Sequence, residues 1–170
     1  RIYDYFNSHF NCIKLKSNEW FQISENVKIK SFADWNQDAS LLVDILGKDL
    51  LVNINDGGLL GWSSTIKKII KSYKNTFLLQ LLNWGDADMI NFYDESGSFI
   101  LPNAAEKPQV GKQYSRKMHN LNCNFAIPFS AFHQYVREDS VHMNQFLTPL
   151  EKHYEGFNDN GPDDWISCCN

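Results

Sequence analysis

Several features that would assign a function at once are missing from this 170-residue sequence. No apolar run approaches the ~20 residues that a membrane-spanning helix needs, and no basic start with an apolar stretch marks a signal peptide. The pair Gly57 and Gly58 lacks the Lys and the Ser or Thr of a P-loop, and no GxSxG nucleophile elbow is present. These absences argue against membrane proteins, nucleotide kinases and serine hydrolases.

Cysteine is scarce. The four cysteines, Cys12, Cys123, Cys168 and Cys169, are too few and too irregularly spaced for a disulfide scaffold, and none forms the CxxC pair of a structural zinc site. We therefore expect reduced thiols in a cytoplasmic protein.

Basic charge is in deficit, because 16 Lys and Arg face 20 Asp and Glu, which gives a formal net charge of −4. General nucleic-acid binders gain affinity by neutralising phosphates, so no nucleic-acid partner is expected. The chain is rich instead in hydrophobic residues (43%) and aromatic residues (14%), enough for one buried core. We predict a single domain over residues 1–170.

Hydrophobic periodicity predicts strands first and then strands mixed with helices. The stretch before Trp20 has no clean period, which indicates strand or loop. The predicted elements are a hairpin over 20–30, a second hairpin of strands 41–45 and 50–54, a helix over 63–73, a strand over 76–82, a weak helix over 112–122, a strand over 125–129 and a helix over 140–154. Ser63 or Ser64 would cap the first helix, whose apolar face holds Ile66, Ile69 and Ile70. This order predicts an α/β layered domain.

The segment 51–58 ends a predicted strand in Asn, Asp and Gly. It places the carboxylate of Asp56 just past the carboxyl end of the strand, where open α/β sheets hold ligands and an oxygen can face a metal. Asp and Gly after a strand also mark an ordinary turn, so spacing alone leaves both interpretations open.

Two segments carry a resemblance to a known family. The sequence DASLLVD at 38–44, followed by GKDLLVNIND at 47–56, resembles the later half of a metallo-β-lactamase-fold domain. The sequence AIPFSAF at 126–132 is similar to the Pro-Phe segment of the branch related to CMP-N-acetylneuraminate hydroxylase. The resemblance covers about residues 20–150 and implies a metallo-β-lactamase-like αββα sandwich, of which this chain is the C-terminal part.

The same resemblance implies a metal-dependent hydrolase that uses zinc or iron on a small-molecule substrate, such as a phosphorylated or acidic sugar derivative. Asp56 would be a metal ligand, and His133 a second ligand or a catalytic proton carrier, although a surface or core role for His133 stays open. The family's His-x-His-x-Asp-His signature has no counterpart among the five isolated histidines. A complete site needs about three or more protein ligands.

The missing ligands leave two explanations. A missing N-terminal half would supply them, and we expect either that association or a homo-oligomer, because a half sandwich exposes an apolar sheet face. The alternative is a non-catalytic binding or assembly domain that keeps the fold. An oxygenase component is a third option, but the Cys and His spacing of its iron–sulfur domain is absent.

A third group of candidates follows the strand over 125–129. Tyr135, Arg137 and Asp139 would line a pocket mouth and bind substrate, with the guanidinium of Arg137 presented to a carboxylate or phosphate. A salt bridge from Arg137 to Glu138 or Asp139 is the equal alternative. His142 and His153, on the predicted helix over 140–154, are expected to be solvated.

Overall fold

The computed structural model describes residues 2–35, 38–55, 57, 59, 61–81, 93–100, 109–129, 134–149 and 152–157. These residues form a mixed α/β structure around one six-stranded sheet, in agreement with the predicted class. The strands are β1 (Trp20–Ser24), β2 (Val27–Ala33), β3 (Ala39–Ile45), β4 (Asp49–Asn55), β5 (Asn75–Leu81) and β6 (Phe125–Phe129). The helices are α1 (Ile2–His9), α2 (Ser63–Ile70), α3 (Val110–Leu121) and a 3-10 helix (Val141–Phe146).

The strands lie in the sheet in the order of the sequence. From β1 to β4 each neighbour is antiparallel, whereas β4, β5 and β6 are parallel. Short turns produce the antiparallel half; in the turn after β3, Leu46 and Gly47 take positive φ angles of 58° and 67°, which suits glycine. Helical crossovers produce the parallel half. Both predicted hairpins and the strand, helix, strand unit are confirmed.

One face of the sheet, here called the covered face, lies under α2 and α3. Strands β3 and β4 alternate buried with half-buried residues, because successive side chains point to opposite sides. Leu50, Val52 and Leu78 are fully buried in this face. They belong to one core cluster with residues of both helices: Ile66, Ile70, Tyr114, Met118 and Leu121. Among the described residues, α2 and α3 thus form a helical layer on the covered face of the sheet.

The other face, here called the second face, is also apolar but less buried. Its β5 and β6 residues, including Leu79 and Ile127, are half-buried. The rings of Phe77 and Phe125 stack across the two strands with centroids 5.0 Å apart.

Residues 152–157, here called the C-terminal clasp, pack on α3. The Ser115 hydroxyl donates to the carbonyl of Gly156 at 3.0 Å, and the rings of Phe157 and Tyr114 pack nearly perpendicular, with centroids 5.8 Å apart. The Tyr114 hydroxyl in turn donates to the carbonyl of Leu78 at 2.5 Å. The clasp is therefore linked through α3 to the sheet.

Three expectations were wrong. Residues 2–9 form helix α1 instead of strand or loop, with Tyr5 and His9 stacked one turn apart at 4.4 Å. Trp62 occupies the N-cap of α2 without a side-chain hydrogen bond, so neither predicted serine caps it. The predicted helix over 140–154 is reduced to the 3-10 helix, which ends where Leu147 takes an extended conformation, and Pro149 disfavours helix at the residue before it, Thr148.

A further correction concerns His153, which is fully buried in the clasp rather than solvated, with Nδ1 3.1 Å from the Pro149 carbonyl oxygen. His142 is exposed, as expected. In the part of the chain that the structure describes, no helix has the length and apolar content to cross a membrane.

Candidate functional site at the carboxyl edge of the parallel strands

The carboxyl ends of the parallel strands and the turn between β2 and β3 lie at the same end of the sheet, here called the carboxyl edge. Ala33 pairs with Ala39 across this turn, and Leu41 pairs with Asn53 of β4. The turn over 34–38 therefore lies at the same edge as Asn55, the last residue of β4. The turn includes Asp34 and Asp38. These residues lie at the carboxyl edge because β3 runs antiparallel to β4 and therefore begins where β4 ends.

The chain that leaves β4 passes directly against this turn. Gly57 is buried, and a Cβ placed on it would lie 3.4 Å from the Cβ of Asp38 and 3.2 Å from the carbonyl oxygen of Ile54. A larger side chain would crowd both neighbours. Glycine at this position thus allows the end of β4 and the turn to approach closely.

Several side-chain oxygens that could act as metal ligands lie at this carboxyl edge. Asp34 closes the turn by accepting a hydrogen bond from the backbone N–H of Asp38 at 3.1 Å. The side-chain oxygen of Asn53 accepts from the backbone N–H of Asn55 at 3.0 Å, and Asn55 has a positive φ of 40°. Gln80 pairs with Asn55 in the sheet, and its Oε1 is buried without a hydrogen-bond partner among the described residues. Carboxylate and amide oxygens are the ligands that hard divalent cations prefer.

The described ranges contain no group of three or more His, Cys, Asp or Glu side chains that could share a metal ion. The oxygen donors named above therefore fit part of a coordination sphere and do not match the imidazole-rich set of a zinc hydrolase. The two predicted metal ligands, Asp56 and His133, lie outside the described residues.

The predicted substrate-binding residues lie on the loop before the 3-10 helix. The guanidinium of Arg137 forms an ion pair with the carboxylate of Asp139, and both side chains are exposed. The backbone N–H and carbonyl of Tyr135 bond the side chain of Asn144, each at 2.8 Å. The half-buried ring of Tyr135 packs against Met143. The structure brings Arg137 and Asp139 together, and it gives Tyr135 a place in a small apolar cluster.

A buried cluster of charged and polar groups lies near the amino end of β4, and the sequence analysis did not predict it. Asp44 is 2% exposed, and its carboxylate accepts hydrogen bonds from the Tyr73 hydroxyl at 2.5 Å and from the Gly47 N–H at 2.7 Å, with Lys28 Nζ 3.0 Å away. Burial alone would raise the pKa of Asp44, but the bonds from Tyr73, Lys28 and Gly47 outweigh it and lower the pKa. Burial and the Asp44 carboxylate together raise the pKa of Tyr73. An acidic residue at an inward position of an alternating strand was the signal in the sequence.

Cys123 is unsuited to nucleophilic chemistry. It is buried beside Thr76, and burial raises the pKa of its thiol to about 12 despite the hydrogen bond with Thr76. The thiolate is the reactive form, so this cysteine stays inert near neutral pH.

Comparison with protein-family models, with curated proteins and with solved structures finds no match to this chain.

Proposed function

We propose that this chain is the part of a metal-dependent hydrolase, of the metallo-β-lactamase-like superfamily, that presents Asp56 as a metal ligand. The observation that supports this proposal most directly is the place where β4 ends. This central strand pairs antiparallel with β3 and parallel with β5, and its last residue, Asn55, immediately precedes Asp56. Open α/β sheets hold ligands at this type of edge.

The finer fold in this proposal is one half of an αββα sandwich. In such a sandwich each sheet carries helices on its outer face and packs its inner face on the other sheet. Here α2 and α3 lie on the covered face, while the second face is apolar and half-buried. A second sheet, from a missing N-terminal half or a second copy of the chain, would bury that face.

The proposed metal is held jointly. Asp56 and His133 of this chain would be ligands, and the remaining imidazoles would come from the partner sheet, because the described donors at the carboxyl edge are oxygens. A divalent ion held by these residues would lower the pKa of a water bound to it and would thereby make hydroxide available for hydrolysis at neutral pH. The carboxylate of Asp38, which is exposed at the same edge, is an acceptor that can orient a water or a substrate hydroxyl, whereas the buried Gln80 Oε1 can accept only from an enclosed water.

The proposed substrate is a phosphorylated or acidic sugar derivative. Arg137 supports an anionic substrate, because its planar guanidinium can exchange the exposed carboxylate of Asp139 for a phosphate or carboxylate of the substrate. Tyr135, two residues before Arg137, is fixed by its backbone hydrogen bonds to Asn144 and would contact the same substrate.

A second candidate is a binding or assembly domain without catalysis. The amides of Asn53 and Asn55 favour it, since they stand at the end of β4 where carboxylates would bind a cation more tightly. Such a domain would use the second face for assembly and the carboxyl edge for a neutral ligand.

Metal titration of matched variants separates the two candidates. We expect weak Zn²⁺ or Fe²⁺ binding by the chain, measured by calorimetry and elemental analysis, to disappear in Asp56→Asn. The control is Asp49→Asn, which changes a carboxylate at the amino end of the same strand. Equal metal binding by both variants would remove Asp56 from the site, and no binding by the unmodified chain would favour the binding domain.

A further inference from the structure

A groove between two tryptophans adjoins the carboxyl edge. It has a volume of about 520 Å³ and is lined by Ala33, Asp34, Trp35, Gly61 and Trp62. A volume of this size is within the usual range for small-molecule sites, about 300–1,000 Å³. Because Asp34 belongs to the turn over 34–38, the groove opens beside the candidate site and not at a separate end of the molecule.

The two indoles differ in how firmly they are held. Trp62 is fixed, since its Nε1–H donates to the carbonyl of Ala33 at 2.7 Å and its ring packs on Phe32 with centroids 5.1 Å apart. Trp35 is 88% exposed, the highest exposure among the large hydrophobic side chains that the structure describes. Gly61, which also lines the groove, has a positive φ of 82° that suits glycine, and a Cβ built on it would lie 3.9 Å from the Nε1 of Trp35, an ordinary contact distance.

The chemistry of the groove favours a sugar ring. One face of a pyranose carries C–H groups, which pack on the electron-rich face of an indole, and its hydroxyls donate to carboxylates. Asp34 lines the groove, with Oδ1 accepting from the Asp38 N–H and Oδ2 buried, and the exposed Asp38 in the same turn brings the accessible carboxylate. None of the five described lining residues is basic and one is acidic, so these residues do not favour a phosphate.

We propose that the groove between Trp35 and Trp62 is a subsite that stacks the pyranose ring of the substrate, with the anionic group of that substrate directed away from it. This inference rests on the proposed function for the identity of the substrate, but the groove can bind a sugar without any metal. It assigns Trp35 to substrate binding, a role that the sequence pattern did not indicate.

The test is a titration of the full chain followed through the indole N–H signals of its five tryptophans by NMR. The probes are N-acetylglucosamine, glucuronic acid and, as a planar competitor, adenosine. We expect the Trp35 and Trp62 signals to shift with either sugar, while that of Trp20, which packs under Lys28 and Lys30 on the antiparallel strands, stays in place. Assignment uses Trp35→Phe.

Variants then decide the role of the ring. Trp35→Ala should weaken sugar binding about tenfold, and Trp35→Tyr should retain most of it, because a stacked aromatic is worth roughly that factor. Shifts with adenosine alone, equal shifts at Trp20, or no shift with any probe would overturn the proposal. Metal and sugar titrations of the unmodified chain, run side by side, separate the two hypotheses: sugar shifts without metal binding keep the groove and reject the metal site, and metal binding without sugar shifts does the reverse.

Discussion

The two faces of the sheet are made from adjacent residues of the same strands and yet end in different environments. In β5, Thr76 and Leu78 are buried under the helices, whereas Phe77 and Leu79 are half-buried on the second face. A strand with one face in water alternates apolar with polar residues, whereas strands buried on both faces read as continuous apolar runs. The last two strands of the sheet, with FLL in β5 and FAIPF in β6, follow the second pattern. Their composition thus suits a sheet that is covered on both sides.

The largest expected effect tests this difference directly. Leu78→Ala should lower the free energy of unfolding by about 2–5 kcal/mol, because it leaves a cavity in a fully buried part of the core. Leu79→Ala, one residue later on the second face, should cost less than about 1 kcal/mol. Urea denaturation of both variants gives the two values, and equal losses would mean that the faces are equally packed.

The pair also reports on a partner. If a second sheet covers the second face, the Leu79→Ala variant should lose stability only where the partner is present, while the loss in Leu78→Ala stays the same. Sedimentation of the unmodified chain gives its oligomeric state alongside. A compact monomer at high concentration, with Leu79→Ala unaffected at every concentration, would count against a homo-oligomer.

The hairpins and α2 could be predicted from the sequence, whereas the buried side of α3 and the clasp could not, for physical reasons. Hairpins and α2 follow from local periodicity and turn residues, which act within a few positions along the chain. Helix α3 has a weak pattern because Gly111 and Ser115, neither of them apolar in the usual sense, lie on its buried side. Their burial depends on the clasp, which comes much later in the chain. The clasp itself is polar in sequence and packs only through long-range contacts.

The candidate site shows the same limit. Asp56 could be proposed because a strand ending is a local signal. The neighbours of that ending, Asp38 and Gln80, are brought in by the sheet order, and no local pattern specifies which strands pair. Trp35 carries no signal at all, since an exposed tryptophan between two strands looks like any loop residue.

A second prediction concerns the attachment of the clasp to the covered side. A Cβ on Gly111 would lie 2.6 Å from the carbonyl oxygens of Lys152, His153 and Glu155. Replacing a glycine by alanine inside a helix normally stabilises the helix, by roughly 0.5–1 kcal/mol. Gly111→Ala should instead destabilise the protein by about 2–3 kcal/mol, because backbone oxygens cannot move aside as side chains do.

Amide hydrogen exchange shows where that loss occurs. Faster exchange in residues 152–157 and in the first turn of α3 is expected, with the β2–β4 meander unchanged. Gln113→Ala, an exposed change on the same helix, is the control and should leave exchange in the clasp as it is. Protection of the clasp retained in Gly111→Ala would show that the packing there is looser than the structure indicates.

The smallest effect concerns the charged border of the covered face. Asp44 points to the same side as Leu42 but is surrounded by donors, from Tyr73, Lys28 and Gly47. Asp44→Asn keeps the shape and removes the charge, so it should cost about 1.5 kcal/mol near pH 7, toward the low end for hydrogen bonds to a charged group because Lys28 is partly exposed. Chemical denaturation at pH 7 measures this difference.

The dependence of that difference on pH distinguishes charge from shape. The pKa of Asp44 is lowered in the folded protein, so its contribution is present above the unfolded value, about 3.9, and is lost as the pH falls through the folded value. The pKa of Tyr73 is raised, so its contribution is present below about pH 10 and is lost only as the pH rises through its folded value. The gap between the unmodified chain and Asp44→Asn should therefore be constant between about pH 5 and 9 and narrow below about pH 4. A gap that persists unchanged at pH 3 would mean that the Asp44→Asn variant loses stability through packing, and that the border of the covered face does not depend on the carboxylate charge.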